Sequence, residues 1–184
     1  MNSQALEAFK HAIQDSTDLL NHFDALNTKP PPPDIAVLKR ASLVMALAAL
    51  ETYFEDRIVE AVGTICAKGN ADDSIKNFYR DSLASDLRSF HSPSTDRVRQ
   101  IFKKYLSIDV SNAWNWNNYD PTRARTELDR LVKKRGDIAH RSLRPVSNEA
   151  QPKQHAVTRD DLRKHIHFIS RIASTTDSFL AAKI

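Results

Sequence analysis

The sequence predicts an all-α protein, an up-and-down four-helix bundle with a short helical insert. Three observations carry that expectation. Apolar residues recur at three- and four-residue spacing over long stretches. Only three glycines occur in 184 residues, Gly63, Gly69 and Gly136, which argues against tight hairpins and Gly-rich phosphate loops. The long periodic stretches are joined by polar or proline-rich connectors, so each apolar stripe must bury itself against another helix. With 41% hydrophobic residues the chain can bury a sizeable core, and its length suits a single domain over residues 1–184.

Residues 3–26 read as the first helix, with Leu6, Phe9, Ile13, Leu19 or Leu20, and Phe23 on one face. Lys29-Pro30-Pro31-Pro32-Pro33 cannot continue it and favours polyproline II. The segment is a stiff connector or, alternatively, a ligand for a proline-binding domain. Asp34 suits the N-cap of a long helix from Ile35 to about Lys68. Its centre, Ala41 to Leu50, is apolar nearly all round, as expected of the central helix of a bundle. Residues 72–90 and 95–107 form the shorter insert, broken at His91-Ser92-Pro93-Ser94. Residues 111–119 are Asn-rich, hold Trp114 and Trp116, and read as a loop. These tryptophans either pin the loop to the bundle or stack on bases. Asp120-Pro121 is a helix start, and the helix after it carries Leu128, Leu131 and Ile138. Residues 144–157 read as a polar loop. Thr158 with Asp161 resembles a capping box ahead of a last helix bearing Leu162, Ile166, Ile169, Ile172 and Phe179.

The formal charge of +4 and a pI near 9.2 permit nucleic-acid binding. Cys66 is the single cysteine, so no intrachain disulfide forms, and a reducing, cytoplasmic setting is expected. No signal pattern opens the chain, and no apolar run is long enough to span a bilayer, so no membrane association is expected.

The segment Arg135-Gly136-Asp137-Ile138-Ala139-His140 carries the chemistry. A fixed cation near a group that titrates close to neutrality suits metal-free phosphodiester chemistry. Arg135 falls on the core stripe. It is therefore paired with an acid, or lines a cleft or interface, or covers the core with its aliphatic stem. On an ideal helix, five residues turn about 140° and rise about 7.5 Å. Arg135 and His140 then converge only where the helix ends or distorts, which Gly136 would permit. His140 is otherwise a helix cap or a solvated side chain. Glu51 follows the apolar run of the long helix. It is either the counter-ion of Arg135 or a glutamate at the rim. His165 and His167 stand two apart, the wrong spacing for a shared metal, and no metal or cofactor is called for.

An all-helical chain of this size, with Arg-x4-His near the end of its penultimate helix, resembles the HEPN superfamily. RGDIAHR matches the common Ile-Ala-His ending of the motif, and ALAALETYFEDRI looks like the acid-bearing helix of the RiboL-PSP-type subgroup. The resemblance covers roughly residues 35–180. It differs at Gly136, where a polar residue is usual, with Asp137 one place later. At Ser142 it lacks the tyrosine of the subgroup paired with nucleotidyltransferase antitoxins. The resemblance implies a metal-independent endoribonuclease of a toxin–antitoxin, abortive-infection or other antiphage system. Arg135, His140 and Glu51 would be its catalytic residues, at a composite site in a homodimer. Lys133, Lys134, Arg141 and Arg144 would attract the RNA backbone, and an antitoxin protein would be a further partner. The alternative is a HEPN module without catalysis, for dimerisation, partner docking or nucleotide binding.

Overall fold

The structure is a computed structural model that describes residues 2–30, 32, 34–140 and 156–184. Among them it is helical throughout, with six α-helices. These are α1 (Gln4–Leu26), α2 (Ala36–Lys68), α3 (Asp73–Leu87), α4 (Thr95–Leu106), α5 (Pro121–His140) and α6 (Arg159–Ala181). A short 3-10 turn, Val110–Ala113, precedes α5.

The bundle alternates in direction, as its cross-links show. Near the start of α1 the amides of Gln4 and Ala5 donate to the Glu60 carboxylate, while Ser16 exchanges hydrogen bonds with Ser42, so α1 and α2 run antiparallel. Asp177 meets Ser3 at one end of α1, and Arg159 and Arg163 meet Asp24 at the other, so α6 also opposes α1. Glu127 faces His165, and Lys134 Nζ reaches the Ala156 carbonyl, which sets α5 against α6. The 33-residue α2, roughly 50 Å long at 1.5 Å per residue, touches α1, α5 and α6 and carries α3 and α4 on its flank. Its nearly continuous apolar centre follows from that position. Leu43, Ala46, Leu47, Leu50 and Phe54 are fully buried.

An aromatic chain holds the insert to the bundle. Phe9, Tyr53 and Phe54 succeed one another at 5.6 and 5.5 Å between ring centroids, and Phe54 then meets Phe102 at 6.1 Å and Trp114 at 6.4 Å. Trp114 is completely buried, and its indole N–H donates to Thr176 Oγ1 at 2.9 Å. This tryptophan therefore pins the 111–119 segment to the bundle. An ion pair invisible to sequence reasoning closes one end. Arg57 Nε donates to Asp177 Oδ1 at 2.8 Å, with side chains 5% and 4% exposed. The same carboxylate accepts from the Ser3 amide and hydroxyl, joining α1, α2 and α6.

Several boundaries differ from expectation. Asp34 does not cap α2 through its side chain. Its carbonyl accepts from the Val37 amide at 3.1 Å, and Ile35 is already helical, so backbone bonding supplies the start of the helix. The helix expected over 72–90 stops at Leu87, because Phe90 folds back and buries its ring. Within the expected 111–119 loop, the Asp109 carboxylate accepts from the Ser111 amide and hydroxyl and nucleates the 3-10 turn. The Thr158 cap forms as expected, accepting from the Asp161 amide at 3.1 Å. Pro31 and Pro33, and all but the end of the polar loop expected over 144–157, lie outside the described residues. No helix is long and apolar enough to cross a membrane among the described residues.

Candidate active site

The core stripe of α5 places the motif arginine. Ala124, Leu128, Leu131 and Ile138 are buried, and Arg135 stands four residues after Leu131 and three before Ile138, so its stem must leave the core stripe. Its guanidinium emerges beside α2, where Nη1 donates to Glu51 Oε2 at 3.1 Å, with side chains 25% and 17% exposed. The same nitrogen reaches the His91 carbonyl at 3.4 Å. Of the three readings open for Arg135, an acid does pair with it, and Glu51 is its counter-ion. A half-buried guanidinium needs such a partner to offset lost hydration. Nε and Nη2 make no hydrogen bond among the described residues, so part of the donor fork is available to an anionic ligand.

Two neighbours of this pair escaped the sequence reading. His91, at the α3–α4 break, contributes a backbone carbonyl, which no residue-type pattern announces. Glu55 lies one turn after Glu51 on α2. Burial first, then the charges of Glu51 and Asp56, push its carboxyl above the usual range, while His91 acts in the other direction. The Glu51–Arg135 pair thus sits where α2, α5 and the α3–α4 break adjoin, with a second carboxylate near Glu51 on α2.

The structure does not bend α5 between Arg135 and His140. The helix continues through His140, and Gly136 has no left-handed backbone. The reason is Ile138, two turns beyond Leu131, which stays buried only while the helix holds its register. The two motif side chains of one chain are therefore about 140° apart around the axis. His140 is exposed. Lys133 is exposed as well. Lys134 is turned toward α6, where Nζ donates to the Ala156 carbonyl at 2.6 Å. Burial, then Arg130, push its ammonium below the ordinary lysine range. Arg141 and Arg144 lie outside the described residues. His165 and His167 occupy different surroundings, the first buried and the second exposed.

The RiboL-PSP-HEPN family model matches residues 11–182. No curated protein matches the chain, and no solved structure does. The family match spans all of the six helices except the first seven residues of α1, and it includes Glu51, Arg135 and His140. With a helical bundle of alternating direction and the Arg-x4-His segment closing its penultimate helix, the chain belongs to the RiboL-PSP-HEPN family.

Proposed function

We propose that this protein is a metal-independent endoribonuclease whose site is completed by two copies of the chain. HEPN domains bind RNA and often dimerise, and serve as ribonucleases or nucleotide-binding modules. The observation that carries the catalytic reading is the Arg135 guanidinium. It is taken off a core stripe and oriented by Glu51 and the His91 carbonyl through one nitrogen, and its other donors bond no described residue.

RNA brings its own nucleophile, the ribose 2′-OH. One His140 imidazole takes its proton as the 2′-oxygen bonds to phosphorus. The bond from phosphorus to the 5′-oxygen breaks, and the imidazolium of the second His140 protonates that leaving oxygen. The products are a 2′,3′-cyclic phosphate and a 5′-OH. A reference pKa of about 6.5 lets histidine fill both roles near neutrality. Arg135 stays charged and stabilises the phosphorane oxygens. Glu51 positions Arg135 and offsets the repulsion between the two symmetry-related guanidinium groups. Lys133 attracts the RNA backbone without reading its sequence, and Arg141 and Arg144 are assigned the same role. Membership of a toxin–antitoxin, abortive-infection or other antiphage system, with an antitoxin as partner, belongs to the same proposal.

One geometric fact favours a second reading. Within a single chain the motif side chains diverge along an unbroken helix, so a monomer is a docking or nucleotide-binding module rather than a nuclease. Incubating the protein with labelled single-stranded RNA plus chelator separates the two readings. Cleavage by the wild type, lost in His140→Ala and in Arg135→Ala with the helical signal unchanged, supports the nuclease. Wild-type cleavage by both variants overturns it. A strict monomer by light scattering at the assay concentration overturns the composite site.

A further inference from the structure

A second site opens at the other end of α5. The amide of Trp116 donates to the Tyr119 carbonyl at 3.0 Å, and the Tyr119 amide donates back at 2.8 Å. Asn117 and Asn118 cap this two-residue turn, with Asn118 at φ 73°, a left-handed conformation that asparagine tolerates better than most residues. The turn sets both rings against Phe168 of α6, with centroids 5.7 Å away for Trp116 and 5.0 Å for Tyr119. The two rings lie 5.2 Å from each other.

Phe168 is buried and serves as the floor, while Trp116 and Tyr119 remain partly exposed. On α6, Lys164, His167 and Arg171 follow the spacing that keeps them on the same face as Phe168. The Arg171 guanidinium stands 5.8 Å from the Trp116 ring. These groups border an open groove of about 710 Å³, and none of the residues lining it is acidic. That volume falls within the range of roughly 300–1,000 Å³ typical of small-ligand sites.

Aromatic faces for stacking, amides for base edges and cations without a carboxylate are together the requirements of a nucleotide. An aromatic surface built only for packing has no need of three cationic or titratable side chains along its border. We infer that this groove is a base-stacking subsite for single-stranded RNA, distinct from the Arg135 cleft. From Pro121 to Arg135 the rise of α5 is about 21 Å. A strand on the groove would lay a base on Trp116 and Tyr119 and a phosphate between Lys164 and Arg171. The groove thereby holds substrate away from the scissile bond, and its use presupposes the RNA-directed reading above but not catalysis.

Trp114 and Trp116 are the two tryptophans of the chain, and Trp114 is sealed in the core, so a stacking base quenches Trp116 alone. The experiment titrates His140→Ala protein with a single-stranded oligoribonucleotide, with the same sequence as a duplex, and with AMP. Saturable quenching by the single strand, stronger than by the duplex or AMP, is expected. By anisotropy of labelled RNA, Trp116→Leu and, separately, Arg171→Ala raise Kd about tenfold. Arg171 is exposed, so its variant tests the groove without disturbing the core. Unchanged Kd in both variants overturns the inference, as does quenching by AMP that the strand fails to match. Wild-type protein that cuts RNA while the titration shows no quenching overturns this subsite alone. Quenching with a wild type that never cuts RNA overturns the nuclease reading alone.

Discussion

Acid should destabilise the fold, and His165, on α6 opposite Glu127 of α5, is the group through which it acts. The residue is 6% exposed, and its Nδ1 stands 3.7 Å from Glu127 Oε1, beyond ordinary hydrogen-bond reach. That carboxylate is already held by Arg130, whose Nε and Nη2 donate at 2.8 and 2.7 Å. Burial is the largest influence on the imidazole, followed by the Arg130 charge. Glu127 opposes both without reversing them, and the pKa is pushed from 6.5 down to about 4. Because the folded value is the lower one, the unfolded chain takes up a proton between pH 6.5 and 4 that the folded chain refuses. His165 therefore contributes stability in full above pH 6.5, and that contribution is lost as pH falls through 4. The difference of 6.5 − 4 = 2.5, at about 1.36 kcal/mol each, is at most about 3 kcal/mol. About 2 kcal/mol of this disappears between pH 7 and 5.

Urea unfolding followed by far-ultraviolet circular dichroism at pH 7, 6 and 5 measures the effect. The wild type should lose about 2 kcal/mol more over that interval than His165→Leu. His165→Gln serves as a second non-titrating variant should the leucine disturb packing. The rest of the sequence is common to all three proteins and cancels in the comparison. Equal losses in wild type and both variants would refute the reasoning, because an imidazole kept neutral by its surroundings cannot titrate without cost.

Two further substitutions test other parts of the structure. Asp177→Ala leaves the Arg57 guanidinium buried and unpaired and frees the Ser3 cap, so chemical denaturation should show a loss of about 3–5 kcal/mol. Replacing both members of the pair with apolar residues of similar volume should recover most of it. Gly136→Ala meets nothing within 4 Å among the described residues and lies in right-handed helix, so it should raise stability by about 0.5–1 kcal/mol. Under the proposed mechanism it leaves RNA cleavage intact; abolished cleavage in a stabilised Gly136→Ala protein would show that the motif does need a bend there.

The long helices were legible because each has a sustained helical apolar pattern bounded by polar or proline-rich connectors. Asp120 and Thr158 mark helix starts by side-chain chemistry, and each accepts the amide hydrogen bond that its residue type suggests; the Ser3 cap of α1 emerged only with the structure. Arg135 was legible as an anomaly, a cation on the stripe of Leu128, Leu131 and Ile138, and Glu51 as the one acid at the end of an apolar run. Their meeting at 3.1 Å depends on α2 and α5 being neighbours, which periodicity alone does not determine. The Arg57–Asp177 pair was hidden because its members are 120 residues apart and each reads as an ordinary polar residue of an amphipathic helix. His91 was hidden for another reason. It contributes a carbonyl, and every residue type has one. The expected bend at Gly136 failed because glycine permits a departure from the helix without requiring one, and the burial of Ile138 decides the matter.

That unbroken helix changes what the motif means. With Arg135 and His140 bent toward each other, a single chain would offer both groups to one phosphate. On a continuous helix, one faces the α2 junction beneath Glu51 and the other faces solvent about 140° away. One chain would then offer charge stabilisation without an adjacent proton donor, and its guanidinium charge is already answered by the Glu51 carboxylate. A two-fold pairing across the end of α5 alters both terms. In the proposed dimer it would bring the exposed His140 of each copy toward the Arg135 of the other, and would supply the second imidazole for proton transfer at both the 2′- and 5′-oxygens. It also places two guanidinium groups near one another, a costly arrangement without the Glu51 partner that each already holds. In the proposed dimer, the Arg135–Glu51 pair would let two copies approach before RNA arrives. Its geometry in the single chain is what the composite site needs from each half.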